Sequence, residues 1–459
     1  MSLSRSKTGF SLLVLVVLIT ACTAPISQPT VSPPTGTSTN IPPAGNDSIA
    51  TAAPSASVLP MTQTPSLPAA ISAVPGQTAL AAFVDTNHNL FAWAPGSSAF
   101  WQVADTGDVQ EALPSPDGSL VAYTRSADLQ TYSLELVRAD GTQTHTLLSS
   151  KQFQAFPHPE GSSGTSPHQM QWIPGTHLLA MTVRGVLQGP GTMIGRDLIV
   201  IDADNGTFHT LLTESDGFSF TFSPDGKYIA TSLADGINLY DSTGKPAAPT
   251  KFFGFPSINT ASEYQYLPEI HWSSDGSSFA FFVPPAEPFS TSPGDTRLIR
   301  VEVKDLAVTT PLSAKMEYLF PLEITPDLAT AAYTTLSTSS SQMVVLHLAN
   351  LKGNTIEIYP SGQKLNRFFW SPDNVHFLFS SNEGITTLAY LGQPGIDPAP
   401  ISIVTSMRDA AWLDASHYLI VDKTAMGWKI WYGHIGAEPA VVYSDSNAKD
   451  DNTTLSIHR

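Results

Sequence analysis

The chain has 459 residues, 22 Lys+Arg against 39 Asp+Glu, a net charge of −17, and only 13% charged residues. That balance excludes nucleic acid and an anionic lipid surface as partners met through a basic stripe. Its single cysteine, Cys22, excludes an intrachain disulfide.

Arg5 and Lys7 give a positive start, and Phe10 to Ile19 form a short apolar run. Ile19-Thr-Ala-Cys22 then places small residues before the cysteine. A helix crossing a bilayer needs about 20 apolar residues, so this run is a leader and not a span. The segment resembles the lipobox of bacterial lipoproteins. The resemblance implies that residues 1–21 are a removed signal peptide and that Cys22 is lipidated. The expected location is therefore extracytoplasmic, anchored to a bacterial cell membrane or outer membrane through Cys22.

Residues 22–66 are dominated by Pro, Thr, Ser and Ala, with almost no charge. Such a composition cannot bury enough apolar surface to offset ordering entropy, so a disordered tether is expected. Its prolines favour extended conformations of about 3 Å per residue, a reach of up to about 100 Å.

From residue 67 a phrase returns eight times: a Ser-Pro-Asp-Gly-type turn, then a strand with a small residue at its centre. Phe222-Ser-Pro-Asp-Gly226, Trp272-Ser-Ser-Asp-Gly276 and Trp370-Ser-Pro-Asp-Asn374 are clear copies. The copies are headed by Ala73, Pro114, Trp172, Phe222, Trp272, Ile324, Trp370 and Trp412, at intervals of 41 to 58 residues. Eight residues beyond each head stand Ala81, Ala122, Ala180, Ala230, Ala280, Ala332, Leu378 and Ile420. Strand-rich repeats of this period predict an all-β fold, a β-propeller of four-stranded blades. Large aromatics at the heads fill the wedge between blades, and the alanines sit where sheets approach most closely. Proline fixes one turn dihedral, and the aspartate accepts the turn's backbone N–H groups. Asp117, Asp225, Asp275 and Asp373 are accordingly read as structural.

These phrases resemble the WD-repeat-like repeats of TolB-type propellers in bacterial envelope proteins, and also the propeller of dipeptidyl peptidase IV relatives. The TolB-type family implies six blades, whereas the repeats count to eight over residues 67–445. Seven is the alternative, with the chain ends sharing a blade. Residues 446–459 are then a tail or a closing strand, with Thr453–Ile457 available to pair with the first unit.

The long insertions are Lys151–His168, Arg184–Arg196, Lys251–Pro268 and Pro284–Thr296. Each falls in a second-to-third hairpin or a link between blades, so all four are expected on the end opposite the Ser-Pro-Asp-Gly turns. Loops on a rigid scaffold that mix aromatics with arginine suit recognition. Phe156, His158, His168, Arg184, Arg196, Phe253, Tyr264, Tyr266 and Phe289 are the candidate ligand-binding residues.

Catalytic signatures are missing. There is no Gly-x-Ser-x-Gly elbow, and Asp241-Ser-Thr-Gly-Lys245 reads as a hairpin turn. Asp85, Asn87 and Asn89 begin like a calcium loop, but Leu90 stands where glycine is required. His158, Glu160 and His168 share a loop without a fixed zinc geometry. No catalytic residue, metal or cofactor is assigned. The expected function is a non-catalytic binding or scaffold module for a protein, peptide or glycan at the cell envelope. The alternative is a propeller hydrolase or lyase using central-channel groups such as Glu269, Glu323, Arg367 and Asp409.

Overall fold

The computed structural model describes residues 76–158, 162–187, 195–213, 218–260, 265–317, 322–337, 340–352, 355–360, 364–383, 386–424, 427–446 and 454–457. The leader, Cys22, residues 22–66, Glu160 and Tyr264 lie outside them. The described residues form eight four-stranded antiparallel sheets arranged as the blades of a propeller. Convincing helical periodicity is absent from the sequence, yet one short helix, Ser150–Ala155, links blades 2 and 3. Ser149 N donates to Gln152 Oε1 at 2.8 Å, the capping-box contact that starts it. A helix of six residues is too short to show a period.

The inner strands of blades 2 to 8 are Val109–Pro114, Ser162–Trp172, Ser219–Phe222, His271–Trp272, Glu323–Ile324, Lys364–Trp370 and Met407–Trp412. Blade 1 takes its inner strand, Thr454–Ile457, from the far end of the chain, paired antiparallel with Ala81–Val84. That strand adjoins the inner strands of blades 2 and 8. The chain ends therefore share a blade, and the count is eight rather than seven.

The core sits between blades. Eight buried apolar clusters each fill one seam. Trp172 and Trp272 are fully buried in such seams, and the repeated alanines are no more than 2% exposed. In most blades the small residue pairs with the inner-strand residue just before the head, as Leu113↔Ala122, Thr221↔Ala230 and Glu323↔Ala332. Blade 8 departs from the count of eight. Its turn closes from Leu413 N to His417 O, one residue shorter than Ser371 N to His376 O in blade 7. The residue in register is consequently Leu419, opposite Ala411, and not Ile420.

The turn chemistry repeats. Ser115 Oγ donates to Asp117 Oδ1 at 2.7 Å, and Ser119 N donates to the same oxygen at 3.0 Å. Ser223–Asp225, Ser273–Asp275 and Thr325–Asp327 repeat the contact. Burial raises both carboxylates, but the turn bonds at Asp117, and Lys227 with Ser223 at Asp225, hold the two below the usual carboxylate range. Hydrogen bonds from Ser273 and Ser277 hold Asp275 at about 2. Gly118, at φ +71°, closes against Ala79, whose carbonyl oxygen would lie 2.6 Å from an added Cβ.

Candidate ligand-binding rim

Alternating strand direction places the Ser-Pro-Asp-Gly turns at one end of the propeller and the described parts of the four long insertions at the other. Two of those insertions are fastened together. Asn259, in the link between blades 4 and 5, donates its backbone N to Ala286 O at 2.8 Å. Its side chain donates to Glu287 Oε2 at 3.1 Å, in the second-to-third hairpin of blade 5. Asp295 of that hairpin lies 3.7 Å from Lys315 Nζ, which belongs to the next link. Phe289 stands in this braced segment with 52% of its surface exposed.

The other candidate residues divide. Phe253 lies in the outer strand of blade 4 and packs edge-on against Phe281 at 5.4 Å. Tyr266 donates its hydroxyl to Phe282 O at 3.2 Å. Phe156 is half-buried and edge-on to Phe153 and Phe208. His158 is exposed, with Nδ1 2.6 Å from Ser162 Oγ. Arg196 is half-buried and pairs with Val183.

His168 and Arg184 come together on the long hairpin of blade 3. A bulge between Pro167 and Met170 reorients the inner strand there. His168 Nδ1 lies 3.5 Å from Thr182 Oγ1. Gly195 closes over both, since an added Cβ would sit 2.4 Å from Thr182 Oγ1 and 2.9 Å from His168 Nδ1. Burial, assisted by the charge of Arg184, pushes the His168 imidazole down to about 4. Burial also lowers the guanidinium of Arg184, with Tyr132 and Glu111 pulling the other way.

No family model matches the chain, and no curated protein matches it. Solved structures do, through the fold. A prolyl endopeptidase aligns at 10% identity and a TM-score of 0.49, over 76% of this chain and 50% of that one. An oligogalacturonate lyase in complex with manganese aligns at 14% and 0.44, over 70% and 82%. TolB from Acinetobacter baumannii aligns at 16% and 0.32, over 61% and 62%. The chain thus spans half the length of the endopeptidase it matches.

The inner strands carry a second pattern. Three residues before six of the eight heads stand Glu111, Gln169, Ser219, Glu269, Arg367 and Asp409, with Ala70 and Pro321 in that place before the other two. The first six are at least partly exposed, while Ala112, Met170, Phe220, Ile270, Phe368 and Ala410 beside them are buried. Gln169 shows what this level can do structurally. Its amide donates to Phe220 O at 2.6 Å and accepts from Phe220 N at 3.0 Å, stitching blade 3 to blade 4. Glu323 belongs to a different level, directly before its head, and is only 5% exposed. Glu111 and Gln169 escape a search for isolated acids, but counting back from the repeat heads finds them. Among the described residues no three His, Cys, Asp or Glu side chains converge as a metal set.

Proposed function

We propose that the chain is a lipid-anchored, extracytoplasmic propeller that captures a protein, peptide or glycan with its insertion rim, without catalysis. The observation that carries this reading is the gathering of four insertions from blades 3 to 5 at one end, two of them cross-braced through Asn259 and Glu287. A braced loop on a rigid ring loses little conformational entropy on binding, the condition under which exposed side chains contribute most to affinity. The lipobox-like Ile19-Thr-Ala-Cys22 supports the anchor, and the Pro/Thr/Ser-rich segment supplies reach.

Residues 67–459 include every strand of the ring, so this fragment serves as bait against envelope extract and glycan arrays. Replacing residues 284–295 with a two-residue turn should abolish capture of whatever the parent retains. Retention of the same ligand by that variant would overturn the rim reading. Radiolabelled fatty acid should enter the parent chain and not Cys22→Ser; labelling of both would remove the anchor.

A hydrolase or lyase is the second reading, favoured by the shared level of Glu111, Glu269 and Asp409 on blades 2, 5 and 8. Turnover of a captured polymer that disappears in Glu269→Gln with Asp409→Asn would establish it.

A further inference from the structure

We propose that Arg184, Tyr132 and His168 form a receptor for a carboxylate group on the ligand of the rim. This deepens the binding reading above and rests on it. Arg184 lies directly across from Ser166 in the hairpin of blade 3, and its Nε donates to Ser166 Oγ at 3.3 Å. Three other arginines have carboxylates in contact: Arg125 with Asp108 at 2.8 Å, Arg300 with Glu302 at 2.9 Å and Arg138 with Asp140 at 4.0 Å. Among the described residues no carboxylate lies within 4.0 Å of Arg184, and no acceptor meets its terminal amino groups. The fold nonetheless buries it enough to penalise its charge.

The neighbours are donors as well. Tyr132, in the second-to-third hairpin of blade 2, is half-buried and within electrostatic reach of Arg184. Its hydroxyl has no hydrogen-bond partner among the described residues. His168 is neutral at pH 7 and so offers one ring N–H. Its only described side-chain partner is the distant Thr182 hydroxyl, at 3.5 Å.

Partly desolvated donors without acceptors carry a penalty that a ligand oxygen would remove. A carboxylate supplies two oxygens and about four lone-pair sites, and it meets a guanidinium through two parallel bonds. One arginine, a neutral imidazole and the nearby negative charge of Glu111 favour a monoanion over a phosphate dianion. Leu129, on the same blade 2 hairpin as Tyr132, is 59% exposed and available to the ligand's apolar body. A uronic sugar and a peptide C-terminus both present this chemistry.

The test is a ligand-observed NMR titration of the full chain in detergent micelles. Glucuronate is compared with glucose, trialanine with its C-terminal amide, and inorganic phosphate serves as the dianion. At least one carboxylate probe should bind about tenfold or more tighter than its neutral partner and than phosphate. The pair that shows the gap identifies the source. Arg184→Gln should erase the gap and Arg184→Lys should retain part of it, while Arg297→Gln, on an exposed strand position of blade 5, leaves it unchanged. Arg184→Gln should unfold no earlier than the parent, because it removes a desolvated charge without a counter-ion. Equal binding of charged and neutral probes, no carboxylate binding, or a gap that survives Arg184→Gln each overturns the proposal. If that happens while the 284–295 replacement still abolishes capture, the rim reading stands and only the carboxylate assignment falls.

Discussion

The indole Nε1 of Trp412 donates to the carbonyl oxygen of Phe369 at 3.0 Å, across the seam between blades 8 and 7. Trp172 makes the same bond to Leu113 O at 3.1 Å, between blades 3 and 2. In both, the acceptor is the residue just before the preceding repeat head. Adjacent inner strands of different sheets do not share a ladder, so this indole supplies a polar link where the backbone cannot. Trp272 occupies the same repeat position, but its Nε1 meets no acceptor among the described residues.

Trp412→Phe and Trp172→Phe should therefore cost more than Trp272→Phe. The first two lose a buried hydrogen bond, a contribution of about 0.5–1.5 kcal/mol added to the lost ring volume. Urea unfolding of the three variants measures it. Equal losses would mean that the indole acts only as filler.

Ala230 is fully buried, between Thr221 on the inner strand and Leu239 on the third. Ala230→Leu adds three carbons where neighbouring sheets touch and should destabilise by about 1–3 kcal/mol. Leu378 holds the equivalent position in blade 7, opposite Phe369 and Leu391. Leu378→Ala should also destabilise, through a cavity of about 2–5 kcal/mol. Thermal unfolding that ranks leucine above alanine at both sites would contradict a volume set separately by each seam.

These pairs explain what the sequence disclosed. Turn and small residue recur because every seam imposes the same geometry, so architecture was readable from heads such as Trp172 and Trp272. Blade 8 misled because the turn at Leu413–His417 drops one residue, a deletion invisible until strands are paired. Phe253 reads as a loop aromatic because an outer strand of two residues leaves no alternation to detect. The company of Arg184 was hidden for another reason. Tyr132 and Arg184 sit in different repeats, and only the ring brings their blades into contact.

The closing strand offers a stability test. Thr454–Ile457 pairs with Ala81–Val84 and packs Leu455 into the seam between blades 8 and 1. Ser456→Pro removes a backbone donor opposite Ala82 and should weaken that ladder. Hydrogen exchange should then rise first in Ala81–Val84 and Leu90–Trp93, with blades 4 and 5 protected longest. Uniform acceleration around the ring would show that closure is not the weak seam.

His168 makes the acid side of the stability profile predictable. Its folded value near 4 lies below the ordinary 6.5, so the unfolded chain binds the additional proton between those limits. Stability from this group is complete above about pH 6.5 and is lost as pH falls towards 4, by at most roughly 3 kcal/mol. The raised His177 works in the opposite sense. Asp204, at 2.9 Å, and Asp117, at 3.3 Å, favour its protonated form. Its contribution is therefore full below about pH 6.5 and fades as pH rises through the folded value. The two histidines oppose one another between pH 4 and 6.5 only if His177 is still titrating there, and its raised value moves that titration higher. His168→Gln should flatten the acid limb while leaving neutral-pH stability little changed, and His177→Gln should not. Urea midpoints at half-unit steps from pH 4 to 8 separate the two. An acid limb unaltered by His168→Gln would mean that this imidazole is hydrated rather than desolvated in the folded chain.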